Sequence, residues 1–185
     1  MQAGRLRSQV NSSFVRAMIE TERLLFRKFT MDDLDWLCGL RSDEEVARYL
    51  GGVQPRENVE TRLRWYLDCH EKHGFGYCVM YYKENGEQIG WAGLQPLDDT
   101  GEIEVGYGIA KEYWGRGIGT EACKAWLNFG FNNLNFPRLT AMAFAENTAS
   151  RHIMEKCGLK YESIIEARGY RCVLYAISRA EFCAL

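Results

Sequence analysis

Apolar and polar positions along the chain change period several times, and each change marks an element. RLLFRKF (23–29) carries the irregular two-residue alternation of a strand. Thr30 follows, with Asp33 three residues on as an acidic capping partner, and Leu34, Leu37 and Cys38 continue at helical spacing. Pro55 opens a second helix in which Val59, Leu63, Tyr66 and Leu67 share a face, and Gly74 closes it. YCVMYYKENGEQIGWAGL (77–94) holds two strand-like runs around Asn85-Gly86, the strongest hairpin signal in the chain. GEIEVGYGI (101–109) is a further strand and runs at once into a glycine-rich loop.

Beyond the loop, a helix is expected over 118–131, with Ala122, Trp126 and Phe129 turned inward. RLTAMAFA (138–145) reads as a buried strand. ENTASRHIMEKCG (146–158) reads as a helix closed by Gly158, with Leu159 as its apolar latch. YESIIEA and YRCVLYAIS form a second hairpin around Arg168-Gly169. The order of elements fits an α/β (α+β) domain, one mixed sheet flanked by helices.

Composition narrows the function classes. A chain of 185 residues, 46% hydrophobic and 26% charged, suits one soluble domain with a sizeable core. A formal net charge of -2 leaves no basic field for nucleic acid or an anionic membrane, and the apolar runs are too short to span a bilayer. Seven cysteines without paired spacing, and no secretory signal, point to free thiols and a cytoplasmic setting. Three histidines without cysteine pairs nearby make no metal site. Residues 1–18 are rich in arginine and serine and are expected to be a non-catalytic N-terminal extension to a single domain over 19–185.

YWGRGIGTEA (113–122) places Gly115, Gly117 and Gly119 at alternate positions before a helix. Such a loop is either a tight turn or a cradle. In a cradle, phosphate meets the unpaired amides of a helix N-terminus and a Cβ would be in the way. The loop has no Gly-Lys-Ser/Thr ending, which excludes a P-loop, and lacks the dinucleotide-binding spacing. It resembles motif A of the Gcn5-related N-acetyltransferases (GNAT), with Gly117 and Gly119 at the two small positions and Trp114 where glutamine or arginine is usual. That last feature resembles the RimJ/RimL-type branch, whose members acetylate ribosomal proteins. ETERLLFRKFTMDDLDWL (20–37), EVGYGI (104–109), ENTASRHIMEKCGL (146–159) and VLYAISRAEF (173–182) are similar to that branch's opening strand and helix, splayed fourth strand, asparagine-containing helix and closing strand. The resemblance spans about 19–182.

The resemblance implies a GNAT fold and acetyl-CoA as co-substrate, its pyrophosphate on the loop formed by Trp114, Gly115, Arg116, Gly117, Ile118, Gly119 and Thr120. Arg116 either meets phosphate oxygens or points into solvent. Tyr107, Gly108 and Ile109 would offer backbone groups to the pantetheine arm, and an amide there would polarise the thioester carbonyl. Glu104 matches a branch carboxylate that accepts the amine's proton through water; it reads equally well as part of a surface face or an internal ion pair, and Glu102 is the weaker candidate. Asn147 reads locally as an N-cap, and the resemblance adds a contact to pantetheine. Ser150 is the candidate acid, since Met154 stands where related enzymes place a tyrosine; the alternative is a hydroxyl bonded to its own helix. His152 and Cys157 are set aside, the first without a partner and the second on an apolar stripe. Trp65, Tyr66 and Trp91 belong either to the acceptor side or to the core.

The expected activity is direct transfer of acetyl from coenzyme A to a primary amine, a protein N-terminus or a small molecule, in a ternary complex. The rival expectation is a coenzyme-A-binding sensor without turnover. Monomer and homodimer both remain open.

Overall fold

The computed structural model describes residues 18–97, 100–167 and 169–184; all of the N-terminal extension but Met18, and Arg168 of the second hairpin turn, lie outside the described residues. Its elements follow the expected order. The strands are β1 (Ile19–Glu20), β2 (Leu24–Lys28), β3 (Tyr77–Tyr82), β4 (Glu87–Leu97), β5 (Glu102–Ile109), β6 (Arg138–Phe144), β7 (Lys160–Ala167) and β8 (Tyr170–Ser178). The α-helices are α1 (Leu34–Ser42), α2 (Glu44–Ala47), α3 (Arg56–His73), α4 (Ile118–Asn132), α5 (Thr148–Lys156) and α6 (Arg179–Phe182). One eight-stranded sheet has the order β1-β2-β3-β4-β5-β6-β8-β7, antiparallel except between β5 and β6.

Strand alternation sorts the core into two layers. Leu24, Phe26, Cys78, Met80, Ala92, Leu94 and Val105 face α4 and α5, where Trp126 and Phe131 are fully buried. Tyr77, Val79 and Trp91 point the other way, against Leu34 and Leu37 of α1 and Val59, Leu63 and Tyr66 of α3. The local signals act as expected. Gly74 ends α3 in the left-handed conformation, φ 76°. Asn147 caps α5 by accepting from the Ser150 amide, and Leu159 is buried behind Gly158 with its amide on the Met154 carbonyl at 3.0 Å.

Two details differ from the sequence pattern. The helix opened by Thr30 begins as a 3-10 turn (Met31–Asp33), because Asp33 accepts from the Thr30 amide at 2.8 Å while holding Arg27 at 2.6 and 2.7 Å. The hairpin at Asn85-Gly86 is a four-residue connection, 83–86, in which Gly86 takes φ 73° and donates to the Tyr82 carbonyl at 2.8 Å. Asn85 is spent on an Asx contact instead, its Oδ1 accepting from the Glu87 amide at 3.1 Å.

Candidate active site

The site begins where the sheet opens. β5 and β6 share one register pair, Glu104 with Thr140, secured by a hydrogen bond of 3.1 Å from the Thr140 hydroxyl to the Ile103 carbonyl. Past that point the two parallel strands part. Ala110 donates to the Ile89 carbonyl, and the β4–β5 register runs without a shift from Leu97 to Gly90. Alternation therefore turns the backbone of Gly106 and Gly108 to β4 and that of Val105, Tyr107 and Ile109 to the gap. Gly108 does not present its backbone there. Its place is set by Trp91, whose indole nitrogen a Cβ at Gly108 would meet at 2.7 Å.

At one end of the gap stands the glycine loop. Gly115 and Gly117 take φ 73° and 77°, the left-handed region, and Gly117 is the N-cap of α4 without any side-chain cap. The first intrahelical bond is Glu121 N–H to the Gly117 carbonyl, so the amides of Ile118, Gly119 and Thr120 have no helical acceptor. Gly119 has a different reason to be glycine. A Cβ there would meet Ile153 Cδ1 at 2.7 Å and Ile109 Cδ1 at 3.3 Å, so it serves the close packing of α4, α5 and β5. The three glycines share a motif, not a cause.

The loop is pinned from outside. Arg23 bonds Glu121 at 2.6 Å and the Arg116 carbonyl at 2.9 Å, and the Thr21 hydroxyl donates to Glu121 at 2.6 Å. These bonds outweigh burial and hold the Glu121 carboxyl below its ordinary range, its charge already answered by Arg23 at the helix N-terminus. The Arg116 guanidinium lies over the Tyr113 ring, 5.2 Å from its centroid. Trp114 is exposed but anchored, its indole N–H donating to the Ile109 carbonyl at 2.8 Å.

The chemical groups divide between the two faces of β5. On the α4/α5 face, the Tyr107 hydroxyl lies 3.1 Å from Ser150 Oγ and donates to the Ser150 carbonyl at 3.2 Å. Burial pushes the Tyr107 phenol well above its ordinary value, so it keeps its proton. Asn147 spends its Oδ1 on the Ser150 amide, which leaves Nδ2 for a ligand. His152 is exposed, Met154 is buried, and Cys157 is buried against α4.

On the opposite face, Glu104 is 2% exposed and therefore not a surface group, whereas Glu102 pairs with Arg138. It accepts from Tyr77 at 3.2 Å and from Gln95. The rings of Tyr77 and Trp91, with centroids 4.6 Å apart, lie under Gly106 and Gly108. They form the floor of a cavity of about 410 Å³ bounded by Met142 and Phe144 of β6, Tyr66 and Arg62 of α3, and Arg41 of α1. Of the aromatics left between core and acceptor, Tyr66 and Trp91 line this cavity and Trp65 does not.

Three contributors escaped the sequence pattern. Tyr77 and Gln95 sit at ordinary strand positions and gain meaning only by meeting Glu104. Arg41 carried a legible signal, a cation seven residues after Leu34 and four after Leu37, on the helix's apolar stripe.

This architecture, a sheet split beside a glycine-opened helix with polar groups on both sides of the split, is that of an acyl transferase. The acetyltransferase (GNAT) domain family matches residues 23–160, and the chain belongs to that family. The chain is 30% identical to the uncharacterized N-acetyltransferase p20 of Bacillus licheniformis over 166 residues, 85% of this chain and 93% of that one. It is 35% identical over 149 residues to YdaF of Bacillus subtilis (strain 168), provisionally named a ribosomal N-acetyltransferase, covering 76% and 80% of the two chains. A GNAT-family acetyltransferase of Bacillus anthracis superposes with a TM-score of 0.75 at 25% identity, covering 88% of this chain and 98% of that one. The protein is an N-acetyltransferase with the GNAT fold. No helix among the described residues is long and apolar enough to cross a membrane.

Proposed function

We propose that the protein moves acetyl from coenzyme A directly onto a primary amine, with the thioester passing through the gap between β5 and β6. The observation that carries this reading is the backbone edge that β5 turns to the gap, the Tyr107 peptide groups and the Ile109 amide, which leads from the first turn of α4 to the acceptor cavity; the Ile109 carbonyl is already held by Trp114. Pyrophosphate would rest on the amides of 115–120, and pantetheine would take the place of a missing strand beside β5.

The groups then fall into order. The amine enters over Tyr77 and Trp91 and attacks the carbonyl carbon. Its proton leaves through water toward Tyr77 and Glu104, and an amide of β5 donates to the developing oxyanion. As the carbon–sulfur bond breaks, Ser150 gives its proton to the thiolate and takes one back from water as the products leave, while the Tyr107 hydroxyl positions Ser150 Oγ. The likeness to YdaF and the RimJ/RimL-type resemblance put peptide N-termini among the amines to be tried.

Initial rates of thiol release over a grid of acetyl-CoA and amine concentrations test the reading. The panel holds peptides, free amino acids, spermidine and an aminoglycoside. Intersecting lines with one amine class are expected; parallel lines, or thiol release without any amine product, would oppose direct transfer.

A further inference from the structure

The acceptor cavity is rich in donors and poor in acceptors of charge. Arg41 and Arg62 line it, and among the described residues its lining holds no carboxylate and neither arginine forms an ion pair. Arg41 is 3% exposed; one guanidinium nitrogen donates to the Leu50 carbonyl at 2.9 Å, while Nε is buried without a hydrogen-bond partner. A buried guanidinium remains cationic and is costly to leave unanswered. Burial foremost, then the like charge of Arg62 against the helping Tyr66 hydroxyl, lowers the Arg41 pKa. The Trp91 indole N–H is likewise buried without a partner, beneath Gly108.

The far side of Arg62 differs. An adjoining hollow of about 520 Å³ shares Asn58, Thr61 and Arg62 with the cavity but also carries Asp68 and Lys72, so its charges are mixed. The cavity above Tyr77 and Trp91, by contrast, has only cationic charges in its lining among the described residues. A polyamine or aminoglycoside would bring several ammonium groups to two arginines, with only the buried Glu104 behind Tyr77 to answer one of them. A ligand with one amino group and one carboxylate fits both ends. The aromatic floor and the Tyr77–Glu104 pair suit the ammonium before it loses its proton, and the arginines suit the carboxylate.

We propose that the acceptor is a small primary amine bearing a carboxylate, held by Arg41 and Arg62 with its amino group turned toward β5. This rests on the transfer reading above but makes a separate claim about recognition. Free α-amino acids and short peptides with an acidic first residue share that chemistry, and both belong in the test.

The experiment compares matched pairs, an amino acid or acidic-first peptide against the same molecule lacking the carboxylate, with spermidine as a third arm. The wild-type protein is expected to favour the carboxylate member at least tenfold in kcat/KM, and Arg62→Glu to reduce that ratio at least tenfold. Arg62 is exposed on α3, so this variant keeps the core intact. A ratio near one, a preference for spermidine, or a ratio unmoved by Arg62→Glu overturns the proposal. If no amine is turned over, titration calorimetry of the same pairs into the coenzyme-A-saturated protein reads the same ratio in Kd. In that event the transfer reading fails while the carboxylate preference is still decided. Preference confined to peptides or to free amino acids identifies the source.

Discussion

The hydroxyls of Tyr107 and Ser150 lie 3.1 Å apart, one on β5 and the other on the first turn of α5, on the face of the sheet away from Glu104. Acid and base candidates are thus separated by the sheet itself, and only the gap beside β5 connects them.

That separation predicts different signatures for the two sides. Ser150→Ala removes the proton donor without touching the loop. It should lower kcat about 100-fold and leave the Kd for coenzyme A within a factor of two or so of wild type. Tyr107→Phe should reproduce part of that loss. Stopped-flow or steady-state thiol release together with calorimetry checks both.

Glu104→Gln keeps the shape of the buried network and removes its negative charge. The kcat/KM for the amine is expected to fall about tenfold at neutral pH. The deficit should shrink as pH rises toward the amine's own pKa, near 8 for an α-amine, because a larger fraction of acceptor then arrives already neutral. A pH profile of the variant beside wild type decides it. A loss independent of pH would assign Glu104 a packing role.

The glycine loop separates by position. Gly117→Ala forces a side chain into φ 77° and should cost about 1 kcal/mol locally while weakening coenzyme A binding. Gly119→Ala meets only the ends of Ile153 and Ile109, and the gain in helix propensity offsets the adjustment, so it is expected to be near neutral. Gly119→Val should lower Tm. Melting curves and coenzyme titrations on the three variants check the order.

Arg27 and Asp33 anchor the acceptor side of the sheet. The Asp33 carboxyl is opposed by burial but held below its ordinary value by Arg27, the Thr30 amide and Gln88. A depressed folded-state pKa gives stability that is fully present above the unfolded value of about 3.9 and is lost as pH falls through the folded one. Asp33→Asn should therefore cost about 3 kcal/mol at neutral pH and narrow the difference from wild type in strong acid. Urea unfolding at several pH values measures this.

Much of the fold was legible because its signals are local. The Thr30–Asp33 cap, Gly74, Asn147 and the Leu159 latch each act within a few residues, so the spacing that predicts them is also the spacing at which they bond. The site was legible only where a motif or an apolar-stripe anomaly marked it. Glu104 and Ser150 could be named as candidates, but Tyr77 and Gln95, which meet Glu104, come from β3 and β4, the Tyr107 hydroxyl reaches Ser150 only through the packing of α5 on β5, and nothing in alternation says that two strands will part after one shared pair. Gly106 and Gly108 make room for Tyr77 and Trp91, a reason that lies on other strands and leaves no mark in the local pattern. Gly119 shows the converse, a loop glycine whose reason is a neighbouring helix.

The central claim is that the thioester of coenzyme A lies in the gap between β5 and β6. A crystal structure of the coenzyme A complex tests it most directly. The account predicts pantetheine amides bonded to the backbone of Tyr107 and Ile109, pyrophosphate on the amides of 115–120, and sulfur within reach of Ser150. Coenzyme bound elsewhere, or a gap left to water while the loop holds the pyrophosphate alone, would contradict it.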